Sequence, residues 1–198
     1  MTWILKKMIL IFFRLSGWKV IGRVPQGVQK AIMVGGGHTS NWDLFMSLGT
    51  FFTLDIPFGF MIKKEALRFP VKTFLMSMGA IPIDRRSTAR LNYVEQMAEV
   101  FAQKDRYFLA MAPEGTRKAV QKWKSGYYHI AEASHVPLIL CYLDYEKKEA
   151  HVGPVMDILA TADETMQALK QHFKAAKPRN PEMFILEDVN PKVAKDIE

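Results

Sequence analysis

The residues with which chemistry can begin are His38 and Asp43, in the run Gly35-Gly36-Gly37-His38-Thr39-Ser40-Asn41-Trp42-Asp43. Glycines let a backbone turn sharply or approach a ligand closely. A carboxylate one helical turn further on can curl back to accept the Nδ1 proton of the imidazole. That fixes the tautomer and leaves Nε2 free as a base near neutral pH. The same spacing also serves a purely structural hydrogen bond, so His-x4-Asp alone leaves both readings open. A second cluster is Ile83-Asp84-Arg85-Arg86, either a solvated, partly paired face or a two-point phosphate fork. A third is Pro113-Glu114-Gly115-Thr116-Arg117-Lys118. It is a polar hairpin turn, or a loop offering amides, a hydroxyl and cations to one anion.

All three clusters close short apolar segments, and the segments predict the scaffold. Ala31–Val34, Phe58–Ile62, Ala80–Ile83, Tyr107–Met111, Pro137–Leu143 and His151–Val155 read as strands. Helices are predicted over about 41–53, over 66–78 with Pro70 kinking or delaying it, and over 125–133. Ser87 is placed to cap a helix that buries Leu91, Val94, Ala98 and Phe101 at spacings of three and four. Thr161 and Glu164 match a capping box before Met166, Leu169 and Phe173. This alternation implies a single α/β domain over 26–190, a mixed central sheet flanked by helices, with a polar tail over 191–198. Domains of this kind gather ligand groups at the carboxyl ends of their strands.

The chain has 198 residues, 49% hydrophobic and 24% charged, with net charge +7 and one cysteine. That excludes a disordered chain, a disulfide scaffold and a purely cysteine-bound metal. Cys141 falls inside an apolar strand and reads as core. His129, His135, His151 and His172 are scattered, and no metal site is expected. The positive balance points to an anionic partner. Residues 1–30 carry Lys6, Lys7, Arg14, Lys19, Arg23 and Lys30 with no acid. Wound as a helix, Lys6, Lys7 and Arg14 share an arc opposite Ile4, Leu5, Met8, Ile9, Ile11, Phe12, Leu15 and Trp18. Residues 1–25 therefore read as an amphipathic membrane-associating helix. The competing reading is a helix packed on the domain's own core.

In order and spacing, His-x4-Asp, Gly-Ala-Ile-Pro-Ile-Asp-Arg (79–85), Pro-Glu-Gly-Thr-Arg (113–117) and Val-Pro-Leu (136–138) resemble the glycerolipid acyltransferase family. That family includes the lysophosphatidate and glycerol-3-phosphate acyltransferases. Lys63-Lys64-Glu65 and Phe69-Pro70 are similar to the segment before the family's second motif, and the likeness runs from about 30 to 145. The triple glycine and the Thr-Ser-Asn-Trp continuation look like a short bacterial-type branch.

The resemblance implies that His38 is the general base, oriented by Asp43. It implies that Arg85 is the second motif's arginine. It associates Glu114, Gly115, Thr116 and Arg117 with the acceptor's phosphate, and Pro137 with the acyl side. It implies direct acyl transfer from acyl-CoA or acyl-carrier-protein, as co-substrate rather than bound cofactor, to the hydroxyl of a 1-acylglycerol-3-phosphate-like lipid. The expected location is peripheral, on the cytoplasmic face of a membrane, with no nucleic-acid partner. Ser40 lacks the Gly-x-Ser-x-Gly context of an acyl-enzyme nucleophile. Other lipid acceptors, hydrolysis, and a non-catalytic lipid- or nucleic-acid-binding module built on the aromatic, basic stretch at 122–128 are the competing readings.

Overall fold

The structure is a computed structural model that describes residues 2–67, 71–83 and 90–187. Its centre is strand β2 (Lys30–Gly36). Ala31 and Met33 point to one face of the sheet, and Ile32 and Val34 to the other; all four are buried. This period of two with both faces covered is why the segment reads as a continuous apolar run. Strands β5 (Tyr107–Met111) and β6 (Leu138–Asp144) flank it, both parallel to it. Outward from β5 come β3 (Phe58–Lys63) and β4 (Ala80–Ile83). Outward from β6 come β7 (Glu149–Met156), antiparallel, and β1 (Lys19–Gly22), parallel to β7. The result is a mixed seven-stranded sheet in the order β1-β7-β6-β2-β5-β3-β4.

Helices cover both faces. On one side Ile32, Val34, Leu109 and Leu138 pack with Met97 and Phe101 of α4 (Arg90–Ala102), Tyr127 and Ile130 of α5 (Gly126–Ser134), and Leu169 and Phe173 of α6 (Ala162–Phe173). The predicted capping box opens α6: the Glu164 amide donates to Thr161 Oγ1, and the Thr161 amide to the Glu164 carboxylate, both at 3.1 Å. On the other side Ala31, Met33, Phe108 and Ile139 meet Phe51 of α2 (Trp42–Leu54) and Ile56. Helix α1 (Thr2–Leu15) lies on α2. Phe13 is buried against Gly49, where a side chain of any size would collide with its ring at 2.4 Å.

Three expectations change. The N-terminal helix ends at Leu15 rather than near residue 25, and Lys19–Gly22 joins the sheet as an edge strand. The segment predicted as one helix over 66–78 is instead a 3-10 turn at Lys64–Ala66 and a separate helix α3 at Val71–Ser77. The first residue of α3, Val71, follows Pro70, the residue read as kinking or delaying the helix. In the stretch 122–128, Trp123, Tyr127 and Tyr128 are buried, with Trp123 packed between Phe173 and Phe184. Those rings fill the core and are not a stacking platform for bases. The Ser87 cap lies outside the described residues.

The reading of α1 as a helix packed on the domain's own core holds for one face; the other face is apolar and exposed. Ile9 and Phe13 are buried on the domain, while Trp3, Ile4, Met8, Ile11, Phe12 and Leu15 stay exposed. The outer face continues onto α2, where Phe12 stacks on Trp42 at 6.1 Å and Trp42 meets Phe45 at 5.8 Å. Lys6 bonds to Asp55 at 2.9 Å and Lys7 lies over the Trp3 ring at 3.8 Å. The buried face predicts a stability cost. Phe13→Ala should lower unfolding free energy by about 3–5 kcal/mol in urea denaturation, as a truncated core aromatic does. A cost under about 1 kcal/mol would show α1 to be a mere appendage.

Candidate active site

Parallel register brings three strand ends together. Val34 of β2 is level with Met111 of β5, and Gly36 of β2 with Tyr142 of β6. Gly37 and Glu114 each stand three residues beyond the first pair, and Tyr145 stands three beyond Tyr142. At Gly36 a Cβ would lie 2.4 Å from the buried Phe173 ring, so only hydrogen fits there. Gly37 takes φ +80, a conformation that L side chains rarely adopt, and the chain turns. His38 follows at the turn and Asp43 enters on the first turn of α2.

Asp43 is buried and organises this turn. Its Oδ2 accepts from His38 Nδ1 at 3.1 Å, from the Thr39 amide at 2.9 Å and from the Ser40 amide at 2.8 Å. Its Oδ1 accepts from the Tyr145 hydroxyl at 2.6 Å. With Nδ1 donating to the carboxylate, the lone pair of His38 is on Nε2, and the His38 side chain is partly open to solvent. The chemistry available is that of an oriented imidazole base.

Glu114 holds the same turn from the neighbouring strand. Its Oε1 accepts from the Gly37 amide at 2.8 Å and the His38 amide at 3.2 Å. Its Oε2 is buried and meets no hydrogen-bond partner among the described residues. Burial pushes this carboxyl above its ordinary value of 4.5, partly offset by backbone amides that include those of His38 and Gly37. The geometry therefore turns Glu114 inward, as a tie between two strand ends. Gly115 adopts φ +64, and a Cβ there would lie 3.2 Å from Lys124 Nζ. Thr116 Oγ1 accepts from the Lys118 amide at 3.3 Å, and Arg117 is exposed.

Pro137 is not brought to His38. It precedes β6, and its carbonyl accepts from the Ile32 amide at 3.0 Å. From Ile32 the strand runs on to Gly36, roughly 13 Å, before the chain turns to His38. Parallel strands separate starts from ends, so Pro137 stands at the head of β6, at the opposite rim from His38. Arg85 lies outside the described residues. Cys141 is within β6, where burial pushes its thiol up to about 12, far from a reactive thiolate.

The sequence reading missed Tyr145, Asn180 and Arg179. Asn180 Nδ2 donates to the Thr39 carbonyl at 2.8 Å, and the Asn180 amide to Thr39 Oγ1 at 3.2 Å. The Arg179 guanidinium lies 5.4 Å over the Trp42 ring. Tyr145 was foreshadowed only by its place just past an apolar strand, and Arg179 and Asn180 by nothing local. Nor is His151 isolated in space. Pairing of β6 with β7 sets Asp144 level with Glu149, and these two with His151 offer three ligand atoms within 4.8 Å of one another. A 3.0 Å contact between His151 and Glu149 accounts for much of that grouping.

A family model described as Acyltransferase matches residues 19–144. The match takes in β1 through β6, with His38, Asp43 and the loop from Glu114 to Arg117. A search of curated proteins returned no match. The chain belongs to the acyltransferase family, the glycerolipid acyltransferases whose ordered motifs it carries. It is accordingly an acyltransferase.

The buried Glu114 makes a testable pH dependence. A carboxyl raised on folding contributes stability below its unfolded value and loses it as pH rises through the folded value. Glu114→Gln keeps a carbonyl oxygen for the two amides and cannot ionise. Urea denaturation between pH 4 and 8 should show the variant gaining on the wild type as pH rises above about 4.5. A difference that is flat with pH would contradict an inward, desolvated Glu114.

Proposed function

We propose that the chain transfers a fatty acyl group from a thioester to the hydroxyl of a 1-acylglycerol-3-phosphate-like lipid. The observation that carries this reading is the His38–Asp43 pair at a glycine turn, tied by Glu114 to the loop 115–118. His38 Nε2 takes the proton of the acceptor hydroxyl as its oxygen attacks the thioester carbonyl carbon. Asp43 stabilises the imidazolium that forms. The tetrahedral adduct collapses, the carbon–sulfur bond breaks, and the leaving thiolate takes the proton back from His38. The donor is acyl-CoA or acyl-carrier-protein. Thr116 and Arg117 are assigned to the acceptor's phosphate, supported by the position of their loop beside His38 and by the two-point match of guanidinium to phosphate. Arg85 keeps that role as a proposal from its motif.

His38→Ala should abolish transfer in a thioester-consumption assay with a lysophosphatidate acceptor. Arg117→Ala should raise the acceptor's KM by roughly tenfold or more, in keeping with about 1.5–3 kcal/mol for a charge-assisted contact, and leave the thioester's KM near its starting value. Full turnover by folded His38→Ala would end the reading. Thioester loss that does not need acceptor would make the protein a hydrolase.

A lipid acceptor is delivered from a bilayer surface. No described helix is long and apolar enough to cross a membrane. We place the outer face of α1, with Trp42 and Phe45, on the cytoplasmic leaflet, the apolar side chains in the acyl boundary and the basic residues at lipid phosphates. Each basic residue near an anionic surface adds about 1 kcal/mol. Trp42 immediately precedes Asp43, so such a surface would run up to the catalytic turn. Met8→Asp with Ile11→Asp alters only exposed positions. It should leave the melting curve unchanged and reduce sedimentation with anionic vesicles by at least tenfold. Unaltered vesicle binding would overturn this placement.

A further inference from the structure

The two oxygens of Asp43 are held differently. Oδ2 serves His38 and two backbone amides, whereas Oδ1 accepts from the Tyr145 hydroxyl at 2.6 Å. That separation lies in the short range of hydrogen bonds to an ionised oxygen. The terminal torsion of an aspartate is broad and roughly two-fold, so donors on one oxygen leave the carboxyl plane loosely set. A donor on the second oxygen fixes the plane in which Oδ2 meets Nδ1. Tyr145 stays protonated for this task, because burial first and then the bonded carboxylate raise its phenol well above the ordinary value.

The ring of Tyr145 is itself held. Trp18 meets it edge-on at 4.9 Å with the planes at 84°. Trp18 is buried beside Phe13 of α1, ring centroids 6.1 Å apart. The Tyr145 amide donates to the Lys177 carbonyl at 2.8 Å, which fixes the backbone at the end of β6. Side-chain contacts thus run without a break from the N-terminal helix through Phe13, Trp18 and Tyr145 to Asp43 and His38.

We propose that Tyr145 is a positioning residue for the His38–Asp43 pair, and that Trp18 ties its position to the seating of α1. The kinetic part of this inference rests on the acyl-transfer reading; the geometric part does not. Tyr145 touches neither substrate in that reading. It acts through Asp43, so its loss lowers turnover rather than substrate binding.

Tyr145→Phe in the full chain removes the hydroxyl and keeps the ring. Its kcat should fall at least tenfold while both substrates' KM values stay within twofold and thermal unfolding stays cooperative. A second readout needs no substrate. The downfield proton resonance of His38 Nδ1, identified by its loss in His38→Ala, should shift or broaden in Tyr145→Phe. Trp18→Leu leaves the hydroxyl present and should give a smaller change of the same kind in both readouts. A folded Tyr145→Phe with kcat within twofold of wild type, or with an unaltered His38 resonance, overturns the positioning role. An unaltered resonance and kcat in folded Trp18→Leu overturns the link to α1. Should Tyr145→Phe not fold, 3-fluorotyrosine placed at 145 keeps the ring and acidifies the phenol; it should move the His38 resonance, and an unaltered resonance there overturns the positioning role. A wild type that turns over no thioester defeats the acyl-transfer reading, and the resonance still decides the positioning.

Discussion

A buried carboxylate is tolerated in a protein interior only when donors surround it. Asp43 meets that condition with four, drawn from the turn itself, the imidazole of His38 and the end of β6. Three of those donors exist only because the chain turns at Gly37. The fourth exists only because β6 runs parallel to β2 and ends beside it. Much of the surrounding structure serves this constraint: Gly36 yields its side-chain space to Phe173, Glu114 restrains the amides of Gly37 and His38, and Asn180 fastens Thr39 from a distant part of the chain. In the proposed reaction, an imidazole held this way is oriented before any substrate arrives.

The N-terminal helix divides its residues by face. Phe13 and Ile9 are part of the fold, and the exposed residues beside them form a surface that continues to Trp42. Reading the helix as either a core element or an anchor treats these as exclusive, but a helix has room for an inward stripe and an outward one. The basic residues among them do local work as well, Lys6 pairing with Asp55 and Lys7 lying over Trp3.

What the sequence made legible follows from which interactions are local. The His38–Asp43 pair was visible because donor and acceptor lie within one turn of chain. The central strands were visible because burial on both faces leaves an unbroken apolar run. The edge strand at Lys19–Gly22 was not, since it is four residues long and mostly exposed. The inward turn of Glu114, the phenol of Tyr145 and the clasp of Asn180 depend on which strands are neighbours, and no spacing along the chain encodes that order. The fourth motif reads as an apolar strand, and its residue string does not say which end of that strand Pro137 marks. In a parallel sheet that distinction separates the two rims of the molecule.

The short run of β6 from the level pair at Tyr142 to Tyr145 has a consequence for how such a chain can change over time. Side chains alternate with a period of two along an extended segment, so one inserted or deleted residue reverses the face on which the next groups stand. A residue inserted or deleted between Tyr142 and Asp144, within β6, would carry the phenol away from the turn even with every residue type retained. The loops at the opposite rim, such as that before Pro137, carry no such parity. Length variation among descendants of this chain should accumulate at that rim rather than at the end of β6 that carries Tyr145.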